Sequence, residues 1–255
     1  MVTNNIRYIY NSNMGIEVIY CGNSTISYPL HNHVSVLTVG IVLDGHAALT
    51  VNGERKIYGK NQSFVIYPYM PHSILAHSCY TLLSICIDKN VASHEPANVI
   101  WNHVVSLLKS ELYSEGIPSY QIMKLLTCLR LVLEQYALAS CAGCRPGSSN
   151  SWINDLKKQL ESCPENKLSV EEMAQTAFVS KYHFIRSFKA EVGLTPHQFQ
   201  LQNRIRKAQR LMHTAGTITE VALATGFCDQ SHFIRQFEKQ VGLPPLTYKL
   251  SSKMI

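Results

Sequence analysis

Hydrophobic and polar positions change period once along this chain. Over the first ninety residues the apolar segments are short and end at turn residues. Ile16–Cys21 alternates between Gly15 and Gly22, and Val34–Leu43 is β-rich and stops at Asp44-Gly45. Ala47–Val51 runs into Asn52-Gly53, a type I′ hairpin signal. Lys56–Tyr58, Ser63–Tyr67 and Tyr80–Ile87 follow, each bounded by Gly, Pro or polar residues. Short strands at this spacing predict a small β-barrel or sandwich. From Val99 the spacing is helical. Val99–Leu112 forms one helix, Gly116-Ile117-Pro118 breaks it, and Ser119–Ser140 forms a second. The second helix carries Ile122, Leu125, Leu126, Leu129, Val132, Leu133 and Tyr136 on one broad face. Such a face packs on its own barrel or pairs with a second copy. The dimerisation reading places Leu125, Leu129, Val132 and Leu133 in the interface. Arg145–Asn150 has linker composition, and everything after it has helical period.

The later half contains a repeat. Tyr182–Pro196 and Ser231–Pro245 lie 49 residues apart and are identical at nine of fifteen positions. Each copy predicts two short helices and a tight turn. Ser169-Val-Glu-Glu172 is a capping box and Ser180 caps the helix 181–191. In the second copy Thr217 or Thr219 starts a helix that ends at Gly226-Phe227, and Asp229 caps the helix 230–240. Phe184 and Phe188, like Phe233 and Phe237, are four apart and point inward, leaving a polar outer face. That pairing is a helix-turn-helix, whose second helix reads base edges in the major groove. Between the copies, Phe199–Leu211 predicts a longer helix, with Arg204, Arg206, Lys207 and Arg210 mostly outward.

Charge supports a nucleic-acid partner for this half. Residues 1–150 carry nine Lys/Arg and eight Asp/Glu, a net of +1, whereas residues 151–255 carry fourteen and nine, a net of +5. With 46% hydrophobic and 16% charged residues, the 255-residue chain is expected to be folded throughout. It has no apolar run long enough to span a membrane and no leader-like N-terminus, so a cytoplasmic protein is expected. Of the eight cysteines only Cys141-Ala-Gly-Cys144 has ligand-like spacing, and two loop thiols are the simpler reading.

The C-terminal motifs resemble the AraC/XylS family of bacterial transcriptional regulators. The first motif is Leu168, Ala174, Ser180, Phe184, Arg186, Phe188, Lys189, Gly193 and Pro196. The second is Ile218, Ala222, Gly226-Phe227, Ser231, Phe233, Arg235, Phe237, Gly242, Pro245 and Tyr248, with Glu238 where the family has Lys. The resemblance implies an α+β protein of two domains. Residues 1–145 would be a cupin-like sensor barrel with a helical dimerisation segment, and 146–255 an all-α domain with two helix-turn-helix units. It implies base contacts from Tyr182, Ile185, Arg186, Gln230, Ser231, His232 and Arg235, and the polar outer face of the helix 181–191 adds Lys181. It also implies a homodimer on promoter DNA, RNA polymerase as a partner, a small-molecule effector and a nucleoid-associated location.

The N-terminal half resembles the family's cupin sensor through His31-Asn-His33, Asp44-Gly45, Gly59 and Pro68–His72. His31, His33 and His72 are the candidate effector-binding residues. Metal-binding cupins add a glutamate, and Val34–Thr38 has no carboxylate, so no metal, cofactor or catalytic residue is expected. The leading reading is an effector-responsive activator. The alternatives are a cupin metalloenzyme fused to a DNA-binding module, and a regulator with an empty barrel controlled by a protein partner or by its own level.

Overall fold

A computed structural model describes residues 5–33, 35–141, 151–214 and 217–255. The first part holds the strands β1 (Asn5–Asn11), β2 (Ile16–Ser24), β3 (Tyr28–His31), β4 (Val36–Val51), β5 (Glu54–Gly59), β6 (Ser63–Ile66), β7 (His72–Leu75) and β8 (Tyr80–Asp88). Three helices follow, α1 (Lys89–His94), α2 (Ala97–Glu111) and α3 (Ser119–Cys141). The second part holds α4 (Ser151–Ser162), α5 (Val170–Thr176), α6 (Lys181–Val192), α7 (Pro196–Leu211), α8 (Ile218–Ala224), α9 (Gln230–Val241) and α10 (Pro245–Ser251), and ends in β9 (Ser252–Met254). The Arg145–Asn150 linker, Cys144 and the side chain of Cys141 lie outside the described residues.

The strands curl into one sheet of order β3-β7-β4-β8-β2-β1-β9, with β5 and β6 also paired to β4. The long β4 makes the curl. Its first half pairs with β6 and β8, its second half with β5 and β7. Two strands were expected here, divided at Asp44-Gly45. The structure has one strand with a register shift between Val42 and Asp44 and Gly45 at φ +70°, because a bulge bends a strand without ending it. The Asn52-Gly53 turn is as expected. Both residues have positive φ, and Val51 pairs with Glu54 across the hairpin.

The broad face of α3 packs on the sheet. Leu125, Leu129, Val132 and Leu133 are all buried in one cluster with Ile16, Val39, Ile41, Ile85 and Leu108. These four residues are therefore intramolecular core, which corrects their assignment to a dimer interface. The curled sheet exposes a convex apolar face as well as its interior, and α2 and α3 cover it. The outer face of α3 instead presents Tyr120, Met123, Leu131 and Leu138.

The helical half forms as its caps dictate. Ser169, Ser180, Thr195, Thr217 and Asp229 each accept a hydrogen bond from a backbone N–H in the first turn of the helix they precede. Gly226 sits at φ +80°, and a Cβ there would lie 2.5 Å from the carbonyl oxygen of Glu165. Only glycine fits that turn. The first helix-turn-helix has its own core of Ile153, Leu156, Phe184, Phe188 and Phe199. The second shares a continuous core with the barrel interior, where Phe233, Phe237 and Tyr248 join Tyr8, Leu49, Phe64 and Tyr80. The C-terminal half is not all helix, since β9 pairs in parallel with β1 and extends the N-terminal sheet. Three residues are too few for any periodicity to announce a strand, and β1 supplies the open edge that makes one.

Candidate functional site

A cavity of about 250 Å³ lies between the two halves. The barrel contributes Glu17, Ile66 and the three histidines to its wall, and the helical half contributes Gln202, Arg206 and Arg210. The tertiary fold converges His31, His33 and His72, as their assignment to one site expects. His31 and His72 are paired across β3 and β7. Ring centroids are 4.1 Å apart for His31 and His72, 4.7 Å for His33 and His72, and 5.3 Å for His31 and His33.

Burial, reinforced by the mutual proximity of the rings and by Arg206, disfavours their charged forms. It holds His31 at about 3 and His33 well below the usual histidine range. His72 is held at about 4, mainly by burial and also by Arg206.

Periodicity misplaced two arginines of α7. Arg206 points into the cavity, donates to the carbonyl oxygen of Asn32 at 2.6 Å, and has its guanidinium pulled down to about 10 by burial. Arg204 caps loops of its own domain, donating to Pro164 O and Gly226 O at 2.7 Å each. Helical spacing assigns both to the solvent side of an isolated domain, and the packing of other elements over α7 reverses that.

Glu17 was also missed. It alternates as a polar residue on β2, a signal of outward orientation that inverts because the inside of this barrel holds a cavity. Burial raises its carboxyl from 4.5 to about 7, against the opposing pull of Arg206 and Arg210. The folded chain thus keeps a proton that the unfolded chain loses between those values, so wild-type stability falls as pH rises through that window. Glu17→Gln is expected to match wild type near pH 4 and to exceed its stability by about 3 kcal/mol at pH 8. Urea unfolding at both pH values measures this, and a difference independent of pH would place the Glu17 carboxylate in water.

The barrel grips both repeated helices at equivalent points. Asn32 Nδ2 donates to Val192 O at 3.2 Å, and Tyr8 OH donates to Val241 O at 3.0 Å. Val192 and Val241 are 49 residues apart, the repeat offset, and each is the last residue of its helix. The glycines that follow, Gly193 and Gly242, are both left-handed. A Cβ on Gly193 would meet Pro71, and one on Gly242 would meet Ile26 and Tyr28. Asn32 accepts a further bond from Gln202 of α7 at 3.1 Å.

At the opposite ends of these helices the candidate base readers face out. Lys181, Tyr182, Arg186, Gln230, Ser231 and Arg235 are exposed, while Ile185 and His232 are half-buried. Tyr182 is 83% exposed, far more than fold stability explains for an aromatic residue. Lys181 pairs with Glu171, Gln230 accepts from Thr219 at 2.8 Å, and His232 packs edge-on against Phe227.

Residues 173–251 match a helix-turn-helix domain family and residues 23–86 a cupin domain family. The HTH-type transcriptional regulator MtrA of Neisseria gonorrhoeae is 31% identical over 129 residues, 48% of this chain and 43% of that protein. The HTH-type transcriptional activator Btr of Bacillus subtilis is 27% identical over 127 residues, 50% of this chain and 24% of that protein. The chain thus spans less than half the length of these curated relatives. Among solved structures, unsaturated fatty acid-bound ToxT from Vibrio cholerae superposes with a TM-score of 0.57 at 12% identity, covering 98% of each chain. A ligand-free ToxT variant gives 0.59 at 11% identity, covering 95% of this chain and 99% of that one. At such identity the likeness shows the fold, a cupin-like curled sheet joined to a helical domain. Among the described residues no helix is long and apolar enough to cross a membrane.

Proposed function

We propose that this chain is a member of the AraC/XylS family and acts as a sequence-specific, effector-responsive transcriptional regulator rather than an enzyme. Residues 1–145 are the sensor and 146–255 the DNA-binding part. One observation carries the reading. The cavity is walled by the barrel on one side and by α7 on the other, and the side chains that hold both recognition helices, Asn32 and Tyr8, come from the same barrel. A molecule that fills or reshapes the cavity therefore bears on both helices together.

The chemistry of the wall selects the effector class. Arg206 and Arg210 suit an anionic group, and Ile19, Ile66, Ile74 and Leu82 suit an apolar body. A fatty acid-bound relative in fold supports an amphipathic carboxylate. The three histidines all line the effector site, but His31 and His72 spend their Nδ1 protons on the Pro29 and Met70 carbonyls, so only His33, with Nδ1 accepting from Thr38, offers an Nε2–H to an effector.

In the DNA complex, α6 and α9 enter successive major grooves about 34 Å apart. Lys181, Tyr182, Ile185, Arg186, Gln230, Ser231, His232 and Arg235 form the reading faces. Homodimeric assembly, contact with RNA polymerase, activation rather than repression and a cytoplasmic, nucleoid-bound location follow from the family reading.

The test is binding to a site enriched from random duplexes with the full chain. Arg186→Ala and Arg235→Ala are each expected to weaken that site by about 1–3 kcal/mol while non-specific binding falls much less. Affinity is also expected to fall steeply with salt. Wild-type affinity in both variants would reject these reading faces, and failure to enrich any site would reject the regulator reading.

A further inference from the structure

We propose that the turn of the first helix-turn-helix, at Phe178, is a docking point for a second copy of this chain bound head-to-tail on the same DNA. Two features of Phe178 run against fold stability. It sits at φ +55°, the left-handed region that favours glycine, and its side chain is 96% exposed. The second unit shows what stability alone selects. There the N–H of Gly226 donates to Leu223 O and that of Phe227 to Ala222 O, just as Phe178 donates to Gln175 O and Val179 to Ala174 O. Phe178 and Gly226 therefore occupy the same position of the same helix-ending turn. One unit has glycine there, and the other has an aromatic ring in water on a strained backbone. Neither the backbone nor the core gains from that ring, and strain of this kind collects at functional sites.

The equivalent turn identifies the occupant. The loop ahead of the first unit packs on Gly226, with Glu165 O 2.5 Å from where a Cβ would stand. Arg204 clamps the two together, donating to Pro164 O and Gly226 O. The loop that precedes one unit thus seats on the turn of the next. Glu165 stands four residues before the cap Ser169, and its counterpart His213 stands four before the cap Thr217. Within the described residues this second loop meets no third unit, and both Thr214 beside it and Phe178 are exposed. An adjacent copy that seats its 212–214 loop on Phe178 continues the stacking, with the ring supplying apolar area in place of the Arg204 clamp. Beside Phe178 the outer face of α5 carries Glu171 and Glu172, which repel phosphate and suit the basic half of another copy, net +5. The contact is heterologous, so it extends along DNA rather than closing a ring. It rests on the regulator reading, because DNA aligns the copies. With α6 and α9 one helical turn apart, the next α6 falls one turn beyond α9, so the register is a direct repeat of about 21 base pairs.

Binding of the full chain is measured by fluorescence anisotropy on duplexes carrying the enriched site once, twice in direct repeat about 21 base pairs apart, or twice with the second site inverted. On the direct repeat the first copy is expected to raise wild-type affinity for the second site by about 5–150-fold. Phe178→Gly is expected to fill the two sites independently while keeping wild-type affinity for the single site. Its melting temperature should rise, since glycine relieves the left-handed backbone. Phe178→Leu keeps apolar bulk and is expected to retain cooperativity. On the inverted pair, wild type and Phe178→Gly are expected to bind alike. Equal cooperativity in Phe178→Gly and wild type on the direct repeat, or none in wild type, overturns the docking point. A loss of single-site affinity in Phe178→Gly assigns the ring to DNA and overturns it too. A chain that binds no enriched site rejects the regulator reading and this proposal with it, whereas single-site binding without cooperativity rejects this proposal alone.

Discussion

A lysine at position 129 is expected to unfold the N-terminal part of this protein rather than to split a dimer. Leu129 is 0% exposed, packed between the convex face of the sheet and α2. Removing a buried leucine side chain alone costs about 2–5 kcal/mol. An ammonium placed there without a partner adds several kcal/mol more, because it loses its water and gains no counter-charge. The sum is comparable to the whole stability of a typical domain, about 5–15 kcal/mol. Circular dichroism should show loss of the folded sheet, and sedimentation should show aggregate in place of a folded monomer. Leu131→Lys, on the exposed face of the same helix, is the control and should leave the fold intact. A well-folded Leu129→Lys chain that sediments as a monomer would return the buried stripe to an interface between copies.

The second large effect is expected at the equivalent phenylalanines of the repeat. Phe188 and Phe237 are 49 residues apart and both 0% exposed. Each packs against an aromatic neighbour, Phe188 edge-on to Phe199 at 5.7 Å and Phe237 edge-on to Tyr248 at 5.4 Å. Truncation to alanine costs about 3–5 kcal/mol in a core of this kind. The two variants should differ in how far the damage spreads. Phe188 belongs to the self-contained core of the first unit, so Phe188→Ala should melt that unit and leave the barrel protected from hydrogen exchange. Phe237 belongs to the core that runs into the barrel, so Phe237→Ala should loosen the barrel as well. Equal barrel protection in both variants would mean that the second unit and the barrel are separate cooperative units.

That asymmetry was not legible in the repeat. Nine identities in fifteen positions say that two copies share one local structure, and they do, down to the caps at Ser180 and Asp229 and the left-handed glycines 193 and 242. They do not say what each copy packs against, since the contacts that differ are made by residues hundreds of positions distant in the chain. The dimerisation stripe failed for a related reason. Amphipathic spacing reports that a helix face is covered, and the covering surface can be a sheet or another copy with equal effect on the sequence.

The sequence by itself determined the elements and much of the chemistry. Turn residues and alternation set β2, β5, β6 and β8, capping boxes set the helix starts, and the repeat set two recognition helices with exposed Arg186 and Arg235. These are local properties, set by backbone conformation and side-chain direction within a few residues. Only the tertiary structure decided which polar residues face inward. Glu17 and Arg206 each look solvated along their own element, and both line the cavity because two domains close over them. The convergence of His31 and His33 with His72 likewise depends on β3 pairing with β7. Local pattern specifies a face; which surface meets that face, and whether water or protein lies beyond it, is settled by contacts that no local pattern encodes.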